Sequence, residues 1–262
     1  MWKKYPKYIG DRFAPTIFFG LYHPRDYRRF LFHRARKTVV WCGSDILRLK
    51  NRPIWRRIIK NCVTTHVCEN YVEQAELSKY GIYAQVQPLF FGDTRKYESS
   101  FVASKTPHVW LCAHPERKQE YGVDTVEVTA GDFPDITFHI YGIKKPFHEV
   151  WYDSFFGSPT GEVHNVHYRN RPNIVYHGHV SEEQLDEEVK NYQAGIRINK
   201  FDGFSEVTAK ALLMGQYTYS VIQYPGVSTG SLSDFLRGLM EKSGPNPISD
   251  MWRALLNKPI PV

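Results

Sequence analysis

Short apolar or β-branched runs recur along this chain with stretches of helical spacing between them. This alternation limits the fold more than any other feature. Residues 16–22, 38–42, 63–68 and 84–91 read as buried strands. Residues 25–36, 53–61 and 72–80 lie between them with helical spacing, and Pro53 suits a first-turn position. A polar, Ser-rich stretch at residues 92–106 then separates a second series. There, residues 108–113, 136–141, 174–176, 194–198 and 216–222 read as strands, and residues 123–130, 181–192 and 205–214 as helices. Ser181 with Gln184 three residues on fits a capping box, in which each residue satisfies one orphan donor at the helix start. Residues 231–242 and 249–257 read as terminal helices. Strands that alternate with helices must pair in parallel, which predicts an α/β fold with both sheet faces covered.

The most informative single stretch is residues 195–215, GIRINKFDGFSEVTAKALLMG. An apolar run ends in a polar turn at Asp202 and Gly203, and a helix-forming run follows. Such a turn aims helix-start amides and one carboxylate at the same place. Unpaired amides and the helix dipole together favour phosphate.

Composition excludes several classes. The chain has 262 residues, 42% hydrophobic and 23% charged, enough for a sizeable core in one or two domains. No apolar run approaches the ~20 residues of a membrane helix. The start, MWKKYPKYIG, lacks the apolar core of a signal peptide, so cytoplasmic residence is expected. The four cysteines, Cys42, Cys62, Cys68 and Cys112, are scattered and read as reduced thiols. The histidine pairs His164/His167 and His177/His179 lack the further ligands a metal site requires, so no metal is expected.

Five landmarks, taken in order, resemble the GT-B glycosyltransferases, most closely glycosyltransferase family 4 and its relatives. The Asp202, Gly203, Phe204, Ser205 turn resembles their nucleotide-sugar motif of carboxylate, Gly, Phe or Leu, Gly or Ser, then helix. Gly43, Ser44 and Asp45, after the strand ending at Trp41 and Cys42, resemble the Gly-Ser-Asp turn of their first domain. The run ELSKYGI at residues 76–82 resembles the helix end before their interdomain strand. Residues 121–124 and 133–138 resemble the first βαβ unit of their second domain. The run PNIVYHGHV at residues 172–180 resembles the strand and loop that hold the nucleotide base.

The resemblance implies two Rossmann-like domains. Residues 1–92 would form a reduced acceptor-side domain lacking the usual first βα units. Residues 107–248 would bind the nucleotide sugar, and a last helix at about 249–258 would cross back to the first domain. It implies sugar transfer from a nucleotide-diphosphate donor, UDP- or GDP-linked, to an acceptor hydroxyl, with no prosthetic group and no obligatory metal. With no evident general base, a retaining mechanism is expected, in which the leaving phosphate helps to deprotonate the acceptor.

The same resemblance distributes the roles. Asp202 would hold the transferred sugar, the alternative being an N-cap aspartate. Arg117, Lys118, Arg197 and Lys200 would face the phosphates, with the amides of Gly203, Phe204, Ser205 and Glu206. Gly178, His179 and Val180 would lie beside the base. Lys210 falls where an acid usually holds the ribose, and Glu206 one turn earlier is placed for an i,i+4 ion pair with it. Asp45 is either an acceptor or sugar contact or a turn-capping aspartate. Cys42, where the family often has a histidine, reads as structural. Residues 144–171, rich in aromatics and histidines, are too long for an ordinary βα connection and read as a flap or as a packed hairpin.

Charge points to the acceptor. Residues 1–91 hold 17 Lys and Arg against 6 Asp and Glu, whereas the remainder holds 17 against 21. One cluster includes Arg28 and Arg29, another Arg52, Arg56 and Arg57, with Tyr27, Phe30 and Trp55 interleaved. Such a surface suits a polyanion, either nucleic acid such as hydroxymethylpyrimidine DNA or an anionic membrane surface. It equally suits solvated faces of helices that cover a sheet. A homodimer or a partner subunit completing the shortened first domain is also expected. The contrasting reading is a non-catalytic nucleic-acid-binding or partner module on the same fold.

Overall fold

A computed structural model describes residues 11–62, 64–144 and 171–261. Two parallel sheets are formed, one from each half of the chain. The first half runs β1 (Thr16–Phe19), α1 (Pro24–Phe32), β2 (Lys37–Trp41), α2 (Ser44–Leu49), α3 (Pro53–Asn61), β3 (Thr64–Cys68), α4 (Tyr71–Ser78) and β4 (Gln85–Val86). Its strands lie in the order β1-β2-β3-β4.

Local chemistry explains the helix starts. Pro24 occupies the first turn of α1, and the Asp26 carboxylate accepts the N–H of His23 at 2.8 Å and of Tyr22 at 3.2 Å. Asn70 caps α4 by accepting the Glu73 N–H at 3.0 Å. Tyr27, Phe30, Trp41, Ile46, Leu49, Ile59 and Leu77 pack into one cluster between these helices and the sheet. Fully burying each such side chain contributes roughly 1.5–3 kcal/mol relative to exposure. In α3, Ile59 and Trp55 join this core while Ile54 remains exposed, so most of the helix's apolar side covers the sheet.

The second half contains β5 (His108–Cys112), α5 (Val123–Thr129), β6 (Thr137–Tyr141), β7 (Ile174–Gly178), α6 (Glu182–Val189), β8 (Ala194–Arg197), α7 (Glu206–Leu213), β9 (Tyr217–Ser220), α8 (Leu232–Met240) and α9 (Ser249–Leu256). The order is β7-β6-β5-β8-β9. The chain builds outward from β5 to β7, then returns to add β8 and β9 on the other side. The carboxyl ends of β5 and β8 therefore flank the point where the winding reverses, the place at which open α/β sheets leave a crevice.

Stacked histidines brace three of these strands. His108 Nδ1 lies 2.8 Å from His139 Nε2, and His139 Nδ1 lies 2.9 Å from His177 Nε2. Glu188, on α6, meets His177 at 3.2 Å and accepts the Tyr141 hydroxyl at 2.8 Å. Burial, then the neighbouring imidazoles, hold His139 down at about 3, so the row is neutral near pH 7.

The chain end ties the halves together. α9 itself stays on the second domain, where Trp252 stacks on Phe204 with ring centroids 5.0 Å apart. Its apolar side is buried against α7, in a cluster that also holds Phe90 of the first half. The extended residues after it reach the first sheet. Thr38 Oγ1 donates to the Pro261 carbonyl at 2.6 Å, Gln87 Nε2 reaches the carbonyls of Lys258 and Pro259 at 3.3 Å, and Ile260 packs with Val40, Val67 and Leu89.

Other differences from the expected elements are local. The run at 84–91 pairs only over Gln85–Val86, and the last bond runs from the Gln87 N–H to the Cys68 carbonyl at 2.8 Å, where β3 ends. The turn at Gly43 opens a six-residue helix, α2, too short to show a period in the sequence. Gly43 takes φ 89° there, a conformation that favours glycine. The aromatic stretch considered as a flap lies, over residues 145–170, outside the described residues.

Candidate active site in the interdomain cleft

Four strand ends converge on one cavity of about 320 Å³. Cys42 follows β2, Glu69 follows β3, Cys112 ends β5 and Arg197 ends β8. The turn from Asp202 to Ser205 and the first turns of α7, including Glu206, Val207 and Lys210, complete the wall. The cavity thus lies at the reversal point of the second sheet and is closed by the first.

The Asp202 turn is held from both sides. Arg197 Nε donates to Asp202 Oδ2 at 2.7 Å, so the two side chains form an ion pair across the turn. From the first domain, Asn70 Nδ2 donates to the Asp202 carbonyl at 2.8 Å. The Tyr224 hydroxyl donates to the Gly203 carbonyl at 3.1 Å. Ser205, not Asp202, is the N-cap of α7: its Oγ accepts the Val207 N–H at 3.2 Å. The capping alternative for Asp202 is thereby removed, and its carboxylate faces the cavity in the grip of Arg197. Glu69 approaches Gly203 so closely that a Cβ there would displace its carboxyl end.

Lys210 lines the cavity but is buried and engaged elsewhere. Its ammonium donates to Asp186 at 2.7 Å and to Glu182 at 3.3 Å, both on α6. The i,i+4 pairing with Glu206 expected from spacing is therefore replaced by pairs to another helix. Burial by itself lowers the Lys210 ammonium, but the hydrogen bond to Asp186 and the surrounding acids raise it overall.

The remaining expected residues divide. Asp45 is fully buried and outside the cavity wall. Its oxygens accept the N–H groups of Leu21 at 3.3 Å, Cys42 at 3.1 Å and Ile46 at 3.0 Å, the bonding of a turn-organising aspartate rather than of a substrate contact. Burial pushes its carboxyl up to about 6. Arg117 is exposed and paired with Glu120, and Lys200 is exposed. Lys118 is half-buried beyond the cavity wall, as is Val180, which packs against the α7 core. Gly178 is buried at φ 70° at the end of β7, and His179 is exposed beside it. On the basic face Arg28, Arg29 and Arg57 are exposed, while Arg52 lies 4.9 Å over Tyr27 and Arg56 lies 5.0 Å over Tyr80.

Sequence reasoning missed the first domain's share. Glu69 lines the cavity, and Glu73 stands behind it with Oε2 accepting the Glu69 N–H at 2.7 Å. Burial, then the charge of Glu73, pushes Glu69 well above the carboxylate range. Burial likewise brings Glu73 up to about 8. The one available signal was a polar Glu69-Asn70 pair at the carboxyl end of a parallel strand. Among the described residues no group of three or more His, Cys, Asp or Glu is arranged to hold a metal ion. Among the same residues no helix is long and apolar enough to cross a membrane.

No known sequence family matches the chain, and no curated protein matches it by sequence. Solved structures do. Sucrose-phosphate synthase from Thermosynechococcus elongatus superposes with a TM-score of 0.61 at 11% identity, over 95% of this chain and 70% of that one. Anabaena HepE in complex with UDP gives 0.58 at 12%, over 92% and 73%. TarM gives 0.52 at 10%, over 94% and 50%, so the chain spans about half of TarM's length. S. aureus TarM and HepE have been solved with UDP, and HepE also with UDP-glucose. These likenesses establish the fold: this is a GT-B architecture, two Rossmann-like domains facing each other across a cleft.

Proposed function

We propose that this chain transfers a sugar from a nucleotide-diphosphate donor to an acceptor hydroxyl in the interdomain cleft. The observation that carries the reading is the cavity itself. It lies at the reversal point of the second sheet, walled by the Asp202 turn and the start of α7, and structural neighbours hold UDP or UDP-glucose. Asp202 is assigned to the sugar hydroxyls. The N–H groups from Gly203 to Glu206 and the Arg197 guanidinium are assigned to the phosphates, where charge grows as the bond to the sugar breaks. Arg197 would then exchange Asp202 for phosphate when donor arrives. Gly178, His179 and Val180 are assigned to the base, with Lys118 at the cleft edge. Lys210 lines the same cavity with its ammonium paired to Asp186 and Glu182 of α6.

Transfer is read as metal-independent and retaining, the leaving phosphate accepting the acceptor proton. The basic helices α1 and α3 of the first domain suit a polyanionic acceptor, modified DNA or a membrane surface. A partner subunit on this domain is compatible with that reading. The test is sugar-nucleotide hydrolysis and transfer by the purified chain, with UDP- and GDP-linked donors against glycan, lipid and hydroxymethylated-DNA acceptors. Asp202→Ala is expected to abolish transfer, a loss of at least about 10²-fold, while the protein stays folded. Full activity in that variant would refute the assignment.

The engagement of Arg197 by Asp202 and of Lys210 by α6 favours a second reading, a non-catalytic module. Complete inactivity with every donor, together with tight DNA binding, would establish it instead.

A further inference from the structure

We propose that Glu69 is a donor-binding residue of this cleft and works as a neutral carboxylic acid, giving a hydrogen bond to a phosphoryl oxygen of the nucleoside diphosphate held at the Asp202–Ser205 turn. This role rests on the nucleotide-sugar reading of the cleft.

Position comes first. Glu69 extends from the end of β3 across the domain boundary, and its carboxyl lies directly on the turn that starts α7. A Cβ on Gly203 would come within 2.0 Å of Oε2. Glu69 therefore stands against the turn that a phosphate would use, and it lines the same cavity as Arg197 and Asp202.

Its surroundings supply no positive charge. Facing it are Asp45 of α2, Glu73 of α4, Asp202 of the turn, the Cys42 thiol after β2, and the hydroxyls of Tyr22 and Tyr224. The cations that line the cavity are held elsewhere, Arg197 by Asp202 and Lys210 by Asp186 and Glu182. Glu73 adds an independent sign. Its side chain is fully buried, Oε2 takes the Glu69 N–H, and Oε1 has no partner while lying 3.5 Å from where a Gly43 Cβ would stand. Glu69 and Glu73 are joined by that N–H bond, and neither has a cation among its described hydrogen-bond partners.

Neutrality gives the arrangement a use. An ionised Glu69 would repel a diphosphate from the turn. A protonated one keeps an O–H to donate, and an O–H···O⁻ bond to a phosphate is among the stronger hydrogen bonds. The acid then substitutes for a cation on the first-domain side of the donor, and burial is the main cause that keeps it protonated.

Gln mimics a neutral acid in shape and hydrogen bonding, so it separates this role from that of a carboxylate. UDP and GDP would be titrated calorimetrically into the full chain at pH 7 and pH 9.5, for wild type, Glu69→Gln and Glu69→Ala. Wild type is expected to bind more weakly at pH 9.5 than at pH 7, and to lose more than Glu69→Gln does, because any ionisation of the nucleotide base is common to both. Glu69→Gln is expected to match wild type at pH 7 and to change less than about threefold between the two pH values, whereas Glu69→Ala binds about tenfold more weakly at pH 7. A Gln variant as weak as Ala, or one whose binding falls with pH as steeply as wild type, would overturn the role while leaving the nucleotide site standing. Wild type that binds neither nucleotide at either pH would overturn the nucleotide-sugar reading and this role with it. If Glu69→Ala does not fold, the comparison of Gln with wild type decides alone.

Discussion

Each domain holds a cluster of buried titratable groups, and the two clusters differ in kind. The first buries acids: Asp45, Glu69 and Glu73 crowd beneath the cleft with no cation among their described hydrogen-bond partners. The second buries bases: the row His108, His139, His177, and Lys210. Lys210 keeps its charge because two carboxylates of α6 meet it, whereas the histidines lose theirs to burial first and, at His139, to the neighbouring imidazoles second. The comparison teaches that burial alone does not set a protonation state; the partner does.

The largest expected effect lies on the acid side. Glu73 is held at about 8 in the folded chain, against an ordinary value of 4.5, so folding favours its neutral form. That contribution is complete below pH 4.5 and is lost as pH rises through 8, by up to about 4 kcal/mol. Thermal unfolding against pH should show this alkaline decline, and Glu73→Gln should flatten it. An unchanged decline would show that Glu73 is ionised in the fold.

His139 should produce the opposite limb. It is held at about 3 against 6.5, so its stabilisation is complete above pH 6.5 and disappears as pH falls toward 3. Allowing for relaxation of the half-buried row, about 3 kcal/mol is expected, with His139→Gln reducing it. Next comes Lys210→Met, which leaves Asp186 without its buried partner. A loss of about 2 kcal/mol is expected in denaturant unfolding at pH 7, and a neutral result would break the contrast between paired and unpaired buried charge. Smallest is Ser205→Ala, which removes the cap of α7 and should cost about 1 kcal/mol without altering the pH profile.

Much of this architecture was legible in the sequence, and the reasons are specific. The alternation of apolar runs and helical spacing located the strands of both sheets, because the central ones, such as β2, β5 and β6, are buried along most of their length and read as continuous apolar runs. Ser181 and Gln184 announced the start of α6, and the predicted cap bond forms at 3.1 Å. The Asp202 turn could be read because strand, turn and helix are contiguous. What failed depended on partners distant in sequence. Asn70 meets Asp202 across 132 residues, and Lys210 meets Asp186 on another helix. Spacing within one helix could only suggest Glu206.

The sequence by itself therefore determined the two parallel sheets, the donor-side turn and the uneven charge of the halves, since these follow from periodicity and composition within short windows. Only the tertiary structure decided what the turn faces. It set Glu69 and Asn70 of the first domain against Asp202 and Gly203 of the second, left Asp45 beneath the surface, and carried the chain end back across the first sheet. Desolvation and pairing arise only when those surfaces meet, so no local pattern encodes them.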